Sequence, residues 1–384
     1  MSSLSKPDFR RSSRGTSTGL SVSLKIPVQV LALTGAFLGL LGSTVVLRGG
    51  AELKRVSTHR IADPAPTPES HASTIVETGD GLLASWFGGT AEKNPDVCIY
   101  TARLNGKTWE IPKKVAEGTE DGPTRYPCWN PVLFRPASGP LCLFYKVGPT
   151  PDSWWGRVMT SSDDGQTWSR SARLPETILG PVRNKPVQLS EGTILAGSST
   201  EHDGWRVHLE RLQLPVLNRA GVPSAHPNVN TWDPTDWKWQ RSSPLHTVEE
   251  FEAIQPTVLV WEPGRLQILC RTRSQKVISQ SWSLDGGWTW SGMTATPLPN
   301  PNSGIDGLVM KDGRGVLVHN NTTRGRGVLG IALSRNGQDW HQALELENAD
   351  GEFSYPAVIQ ARDGRLHVTY TWRRRAIQHV VIAP

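Results

Sequence analysis

The sequence predicts an all-β fold behind an N-terminal apolar helix, and three observations carry that expectation. First, the 384 residues include 37 Gly, 29 Pro and 16 Trp. This mix suits turns and sheet packing, and neither a coiled coil nor a disordered chain would carry it. Second, short apolar runs such as Gly81–Phe87, Leu141–Val147, Thr193–Ala196, Arg265–Arg271, Gly315–His319 and Arg365–Thr371 alternate with turns. Several follow Asp80-Gly81, Pro263-Gly264, Asp312-Gly313 or Asp363-Gly364, which is hairpin punctuation, and no helical period is evident after residue 60. Third, one turn motif recurs along the chain.

The leader comes first. Residues 1–26 are basic, and five cations (Lys6, Arg10, Arg11, Arg14, Lys25) precede an uncharged stretch of 21 residues, Pro27–Leu47. At about 1.5 Å per residue a helix of that length spans a hydrocarbon core of about 30 Å. The basic flank predicts a cytoplasmic N-terminus. The apolar length favours an uncleaved anchor over a secretory signal, whose apolar region is about 7–15 residues. Either outcome places the rest outside the cytoplasm, membrane-anchored or secreted. Residues 48–65 read as a linker and 66–384 as the folded domain.

Charge and cysteines narrow the class further. The formal net charge is +6, but residues 1–60 alone carry +7 and the remainder sums to −1. A domain without its own positive field predicts no nucleic-acid partner. Cys98, Cys128, Cys142 and Cys270 form no CxxC pair and no zinc spacing, so neither a metal nor a cofactor is expected. HExxH, GxSxG and phosphate-loop motifs are absent from the sequence.

The recurring turn has the form S-x-D-x-G-x-T-W. It appears in full at Ser161–Trp168 and Ser283–Trp290, and in worn form at Leu104–Trp109 and Ser334–Trp340. Trp109, Trp168, Trp290 and Trp340 are 59, 122 and 50 residues apart, and the double gap leaves room for another worn copy near Trp237 or Trp239. Asp can accept backbone N–H bonds, Gly can take positive φ, and Trp can plug the space between sheets.

These turns resemble the Asp boxes of the sialidase superfamily. The resemblance implies a six-bladed β-propeller of four-stranded antiparallel blades, with the boxes structural and away from the active site. It also implies exo-acting hydrolysis of a terminal acidic sugar, sialic acid by default, from a glycan partner. The alternatives are another activity on uronic-acid glycans, as hydrolase or lyase, and a propeller that binds glycan without cleaving it.

Further residues are assigned by that resemblance. Glu252 and the strand ending in Arg271 are similar to the family's carboxylate that activates a tyrosine and an arginine that binds the sugar carboxylate. Arg326 resembles a second such arginine, with Arg324 as its rival, and Tyr355 the tyrosine nucleophile. His71 stands where the family's first arginine is expected, and it can bind an anion when protonated or carry a proton. Glu92 falls at the acid/base position, with Asp96 as rival. Asn130, Arg183 and Lys185 open inner strands and could contact an acidic sugar, with Trp86 or Trp129 as stacking platforms. The run Arg373-Arg374-Arg375 reads as solvated charge.

Overall fold

A computed structural model describes residues 53–120, 122–190, 192–214 and 233–384. The expected basic leader and apolar segment, residues 1–47, lie outside them. Among the described residues no helix is long and apolar enough to cross a membrane.

The described residues form six antiparallel sheets that follow one another in sequence, with a small two-stranded ribbon, Gly118–Thr119 against Arg125–Tyr126, between the first and the second. Blade I holds Glu69–Glu77, Leu82–Gly89, Cys98–Asn105 and Thr108–Trp109, with Lys113–Ala116 as a fifth strand on its outer side. Blade II holds Cys128–Phe134, Leu141–Val147, Trp155–Ser161 and Ala172–Arg173. Blade III holds Val187–Ser190, Thr193–Thr200, Arg206–Gln213 and Lys238–Arg241. Blade IV holds Ala253–Glu262, Arg265–Thr272, Val277–Ser283 and Thr294–Pro299. Blade V holds Asp306–Val309, Gly315–His319, Val328–Ser334 and Trp340–Asn348. Blade VI takes Phe353–Gln360, Leu366–Trp372 and Ala376–Ala383, and its fourth strand is Lys54–Arg60 from the start of the fold. This is a six-bladed β-propeller.

That last strand corrects the expected linker. Lys54 pairs with Ala383 and Arg60 with Gln378, so residues 54–60 close the ring. The strand is exposed along most of its length, and its polar sequence gives no alternation to read. Arg60 lies 4.1 Å from the Trp372 ring, and Arg55 donates to the carbonyls of Glu345 and Leu346 at 2.8 Å, tying the strand to blades V and VI.

Apolar packing sits between successive blades. Val316, Val318, Leu329 and Ile331 of blade V meet Val358, Val368, Tyr370 and Val380 of blade VI, and comparable clusters join the other neighbours. The two full boxes hold their hairpin turns as expected. In one, Asp285 accepts from Thr289 N–H at 2.9 Å and Thr289 Oγ1 at 2.6 Å, while Ser283 Oγ accepts from Gly287 N–H at 2.8 Å. These donors hold the carboxyls of Asp163 and Asp285 well below the usual range. Trp168 and Trp290 pack against the inter-blade clusters but are half-buried rather than enclosed. Among the described residues a 3-10 turn, Pro234–Asp236, precedes Trp237 in place of a box. Trp237 and Trp239 nevertheless fill the same kind of space, each 6.2 Å from Phe144 across blades II and III.

Candidate active site

The first strands of neighbouring blades pack against one another at I–II, III–IV, IV–V, V–VI and VI–I. In blades II, IV and VI that strand carries a residue followed by proline: Asn130-Pro131, Gln255-Pro256 and Tyr355-Pro356. Proline removes a ladder donor, and the register slips at each of these points. The residue before it takes the left-handed region, with φ of 38° at Asn130, 56° at Gln255 and 52° at Tyr355. Blade I bulges likewise after His71, with Ala72 at φ 55°. Bulges of this kind re-aim side chains out of the ladder.

Tyr355 is the centre of what results. Its hydroxyl oxygen accepts from Arg271 Nη1 at 2.6 Å, and the same nitrogen donates to Gln255 Oε1 at 3.1 Å. The guanidinium carbons of Arg183, Arg326 and Arg271 lie 5.3, 5.5 and 5.6 Å from the Tyr355 ring. Gly304 backs the ring so closely that a Cβ there would sit 3.3 Å from it. Burial alone would raise the phenol pKa, but Arg271 and Arg326 outweigh it and hold the group below its ordinary 10.

His71 packs on the same ring, centroids 4.3 Å apart, and meets Phe87 edge-on at 5.4 Å. Both imidazole nitrogens are buried without a hydrogen-bond partner among the described residues. Burial, then the charges of Arg374, Arg326, Arg183 and Arg271, keep its pKa well below 6.5. The ring is therefore neutral at pH 7.

Two carboxylates complete the cluster. Glu352 accepts from Arg326 at 2.8 Å, Arg374 at 2.9 Å and Ser354 at 2.7 Å, and these partners outweigh burial to lower its pKa. Glu92 accepts from the other end of Arg374 at 2.5 Å, so one arginine links blade VI to the loop of blade I. Near Arg271, which lies 4.9 Å from the Trp205 ring, burial pushes the Glu201 carboxyl up, only partly countered by Arg271.

The structure thus brings together Tyr355, Arg271, Arg326, His71 and Glu92, with Asn130 on the neighbouring bulge. Other expected residues go elsewhere. Glu252 does not meet Tyr355. It precedes the bulge and turns to the hairpin beyond Arg271, where it accepts from Ser274 at 2.7 Å and Arg273 at 3.5 Å. The side chain beside the Arg271–Tyr355 pair is the Gln255 amide, which is no base. Asp96 accepts from Thr90 Oγ1 at 3.0 Å and Thr90 N–H at 2.9 Å, bracing the loop that presents Glu92. Trp86 is not a platform: it is 1% exposed, in the core with Ile61, Ala84 and Ile377. Arg183 is 1% exposed and donates to Pro356 O at 2.8 Å. Lys185 is paired with Asp306 at 2.8 Å. Arg374, read from sequence as solvated, is a centre of the cluster.

A family model described as a BNR repeat-like domain matches residues 80–368. The chain belongs to the BNR repeat-like domain family. No curated protein matches it. Among solved structures, a protein of unknown function from Dyadobacter fermentans aligns at a TM-score of 0.67 and 15% identity, covering 86% of this chain and 99% of that one. The Hadza microbial sialidase Hz136 gives 0.65 and 15%, covering 84% and 68%. A Trypanosoma rangeli sialidase, solved with 2,3-difluorosialic acid as a covalent intermediate, gives 0.62 and 15%, covering 85% and 58%. At these identities the likeness is one of fold.

Within this BNR propeller, charge marks the site more clearly than volume. A cavity of about 830 Å³ between blades VI and I, lined by His59, His367 and His379, shares no residue with the cluster. Around Tyr355, by contrast, Arg326 and Arg374 are matched by Glu352 and Glu92, while Arg271 has no carboxylate bonded to it among the described residues. Such a surplus suits an anion, because a guanidinium fork pairs with a carboxylate through two parallel bonds.

Proposed function

We propose that the protein is an exo-acting glycosidase of the sialidase type that releases a terminal acidic sugar, sialic acid by default, from a glycan. The observation that carries this reading is the convergence of Arg271 and Arg326 on Tyr355, with the phenol oxygen bonded to a guanidinium. In this reading the arginines hold the sugar carboxylate and Tyr355 attacks the anomeric carbon beside it. A phenol suits that carbon, since a carboxylate nucleophile would meet the like charge of the substrate. With Glu252 turned away, Arg271 and Arg326 favour ionisation of the hydroxyl, and in this reading Tyr355 attacks as the phenolate left when its proton passes to water. Glu201, whose surroundings favour the protonated form, suits the leaving oxygen better as an acid than Glu92, which Arg374 holds.

One observation favours a second reading, elimination from a uronic acid. Neutral His71 stands against Tyr355 with both nitrogens unpartnered, and an imidazole and a phenol together can move the proton that a lyase removes. Both readings place the domain where acidic glycans occur, outside the cytoplasm, and the basic leader with its apolar segment is in keeping with that.

The test is product analysis of the purified protein on a fluorogenic sialoside and on uronic-acid-terminated oligosaccharides. Hydrolysis adds one water to the products, whereas elimination leaves an unsaturated sugar that absorbs in the ultraviolet. Tyr355→Phe is expected to abolish turnover in either case while glycan binding persists. Full activity in Tyr355→Phe refutes both readings, and binding without turnover in the unaltered protein makes the propeller a lectin.

A further inference from the structure

Three consecutive residues on the segment that leads into blade III reach three different blades. Arg183 Nη2 donates to Pro356 O of blade VI at 2.8 Å, and Asn184 Nδ2 donates to Gln255 O of blade IV at 3.0 Å. Lys185 Nζ donates to Asp306 of blade V at 2.8 Å and to Gly307 O at 3.0 Å. The second oxygen of the network matters as much. Asp306 Oδ2 also accepts from Val358 N–H at 2.9 Å, and its Oδ1 accepts from Thr257 Oγ1 at 2.9 Å.

These contacts fall where the inner ladder of blade VI is interrupted. Register slips between Ser354 and Ala357, so the backbone around Tyr355 and Pro356 lacks regular partners. Arg183 takes the carbonyl of Pro356, inside the slipped stretch, and Asp306 takes the N–H of Val358, just after it. A tyrosine at φ 52° is unfavourable on its own and persists only where surrounding groups over-determine it. Arg183 is 1% exposed, so it lies behind the reactive side chain and is shielded from bulk solvent.

We propose that Arg183, together with Asp306, is a positioning residue that clamps the bulge of blade VI and so fixes the Tyr355 hydroxyl on Arg271. The inference rests on the reading that Tyr355 is the reacting group. The clamp also supplies charge. Burial pushes the Arg183 pKa down to about 10, partly offset by Asp306 and by the Tyr355 phenol. Facing Tyr355 are the cations of Arg183, Arg271 and Arg326, the Glu92 carboxylate and the neutral His71 ring. Removal of Arg183 therefore displaces the phenol and makes its ionisation harder.

The experiment compares Arg183→Met and Arg183→Lys with the unaltered protein by steady-state kinetics and by ultraviolet titration of tyrosine. The chain has 5 Tyr, so subtracting the Tyr355→Phe titration isolates the Tyr355 signal. Arg183→Met is expected to lower kcat on the order of 10–100-fold, the effect of a small misplacement, with KM nearly unchanged. The Tyr355 titration should move to higher pH, Arg183→Lys should recover part of both effects, and adding Arg183→Met to Tyr355→Phe should change nothing more. Unchanged kcat and titration overturn the proposal, and so does a rise in KM alone, which would make Arg183 a substrate contact. Should Arg183→Met not fold, Arg183→Lys decides by the same two readouts. If the unaltered protein turns over no acidic glycoside, the glycosidase reading fails while the titration still judges the clamp.

Discussion

Replacing Lys146 by Met should reverse its effect on stability between pH 6 and pH 9.5. Lys146 lies on a middle strand of blade II and is fully buried, with Nζ donating to Pro181 O at 2.7 Å. The charge that offsets burial is Glu210, already occupied by the N–H groups of Leu179 and Gly180 and by His208. Burial therefore wins, and the ammonium pKa falls from 10.5 to about 7. Between those values the unfolded chain binds more protons than the folded one, so stability rises with pH across that window and is lowest below it. With about 1.36 kcal/mol per pKa unit, the folded state bears a cost of about 5 kcal/mol at pH 6 but only about 1.4 kcal/mol at pH 9.5. Met removes that cost at every pH and leaves Pro181 O unpaired, a fixed loss of about 1–3 kcal/mol. The variant should be the more stable at pH 6 and equal or less stable at pH 9.5, the difference shifting by about 3 kcal/mol. Urea unfolding of both proteins at the two pH values measures it. Parallel stability curves would show that Lys146 does not titrate as its burial requires.

Further outcomes follow from the turns and the ring. Gly337 has φ 78°, and a Cβ there would lie 2.6 Å from Gln267 Oε1 and Trp282, whereas Gly364 at φ 87° has nothing within 4 Å. Gly337→Ala should cost about 2–4 kcal/mol and Gly364→Ala about 1 kcal/mol by thermal unfolding, and equal costs would mean that packing at the box turn is loose. A chain starting at Leu53 should elute as a monomer, while one starting at Ile61 bares the apolar strand Ala376–Ala383 and should associate or precipitate on size-exclusion chromatography. A monomeric, folded product from the shorter chain would show that ring closure is dispensable.

The hairpins were legible because their punctuation is chemical, and the propeller followed from the resemblance of the repeated turns to the Asp boxes of the sialidase superfamily. Asp, Gly and Trp recur where hairpins must turn, and this fixed the repeat before any strand was placed. The outer strand Lys54–Arg60 escaped because it is exposed on both faces and so leaves no apolar alternation. Within the site, Tyr355, Arg271, Arg326, His71 and Glu92 were assigned by resemblance and lie together in the structure, yet a resemblance in sequence cannot say which way a side chain turns. Glu252 and Gln255 are three residues apart, and only the slip at Pro256 decides which of them faces Arg271. The residue-proline pairs at Asn130, Gln255 and Tyr355 were a readable signal of that slip. Arg374 had a signal too. The hairpin Trp372–Ala376 turns through Arg373 and Arg374 at φ 52° and 58°, with no Gly or Asn, and such a turn is retained at a cost.

The closing strand has a consequence for the order of synthesis. Its partner, Ala376–Ala383, is synthesised after every other strand of the propeller. Until then Lys54–Arg60 waits as an unpaired edge while the intervening blades assemble. An apolar strand left in that state would be a template for pairing with other nascent chains. The sequence Lys-Arg-Val-Ser-Thr-His-Arg is instead charged and polar at nearly every position, which keeps the segment solvated and repels copies of itself until its partner arrives.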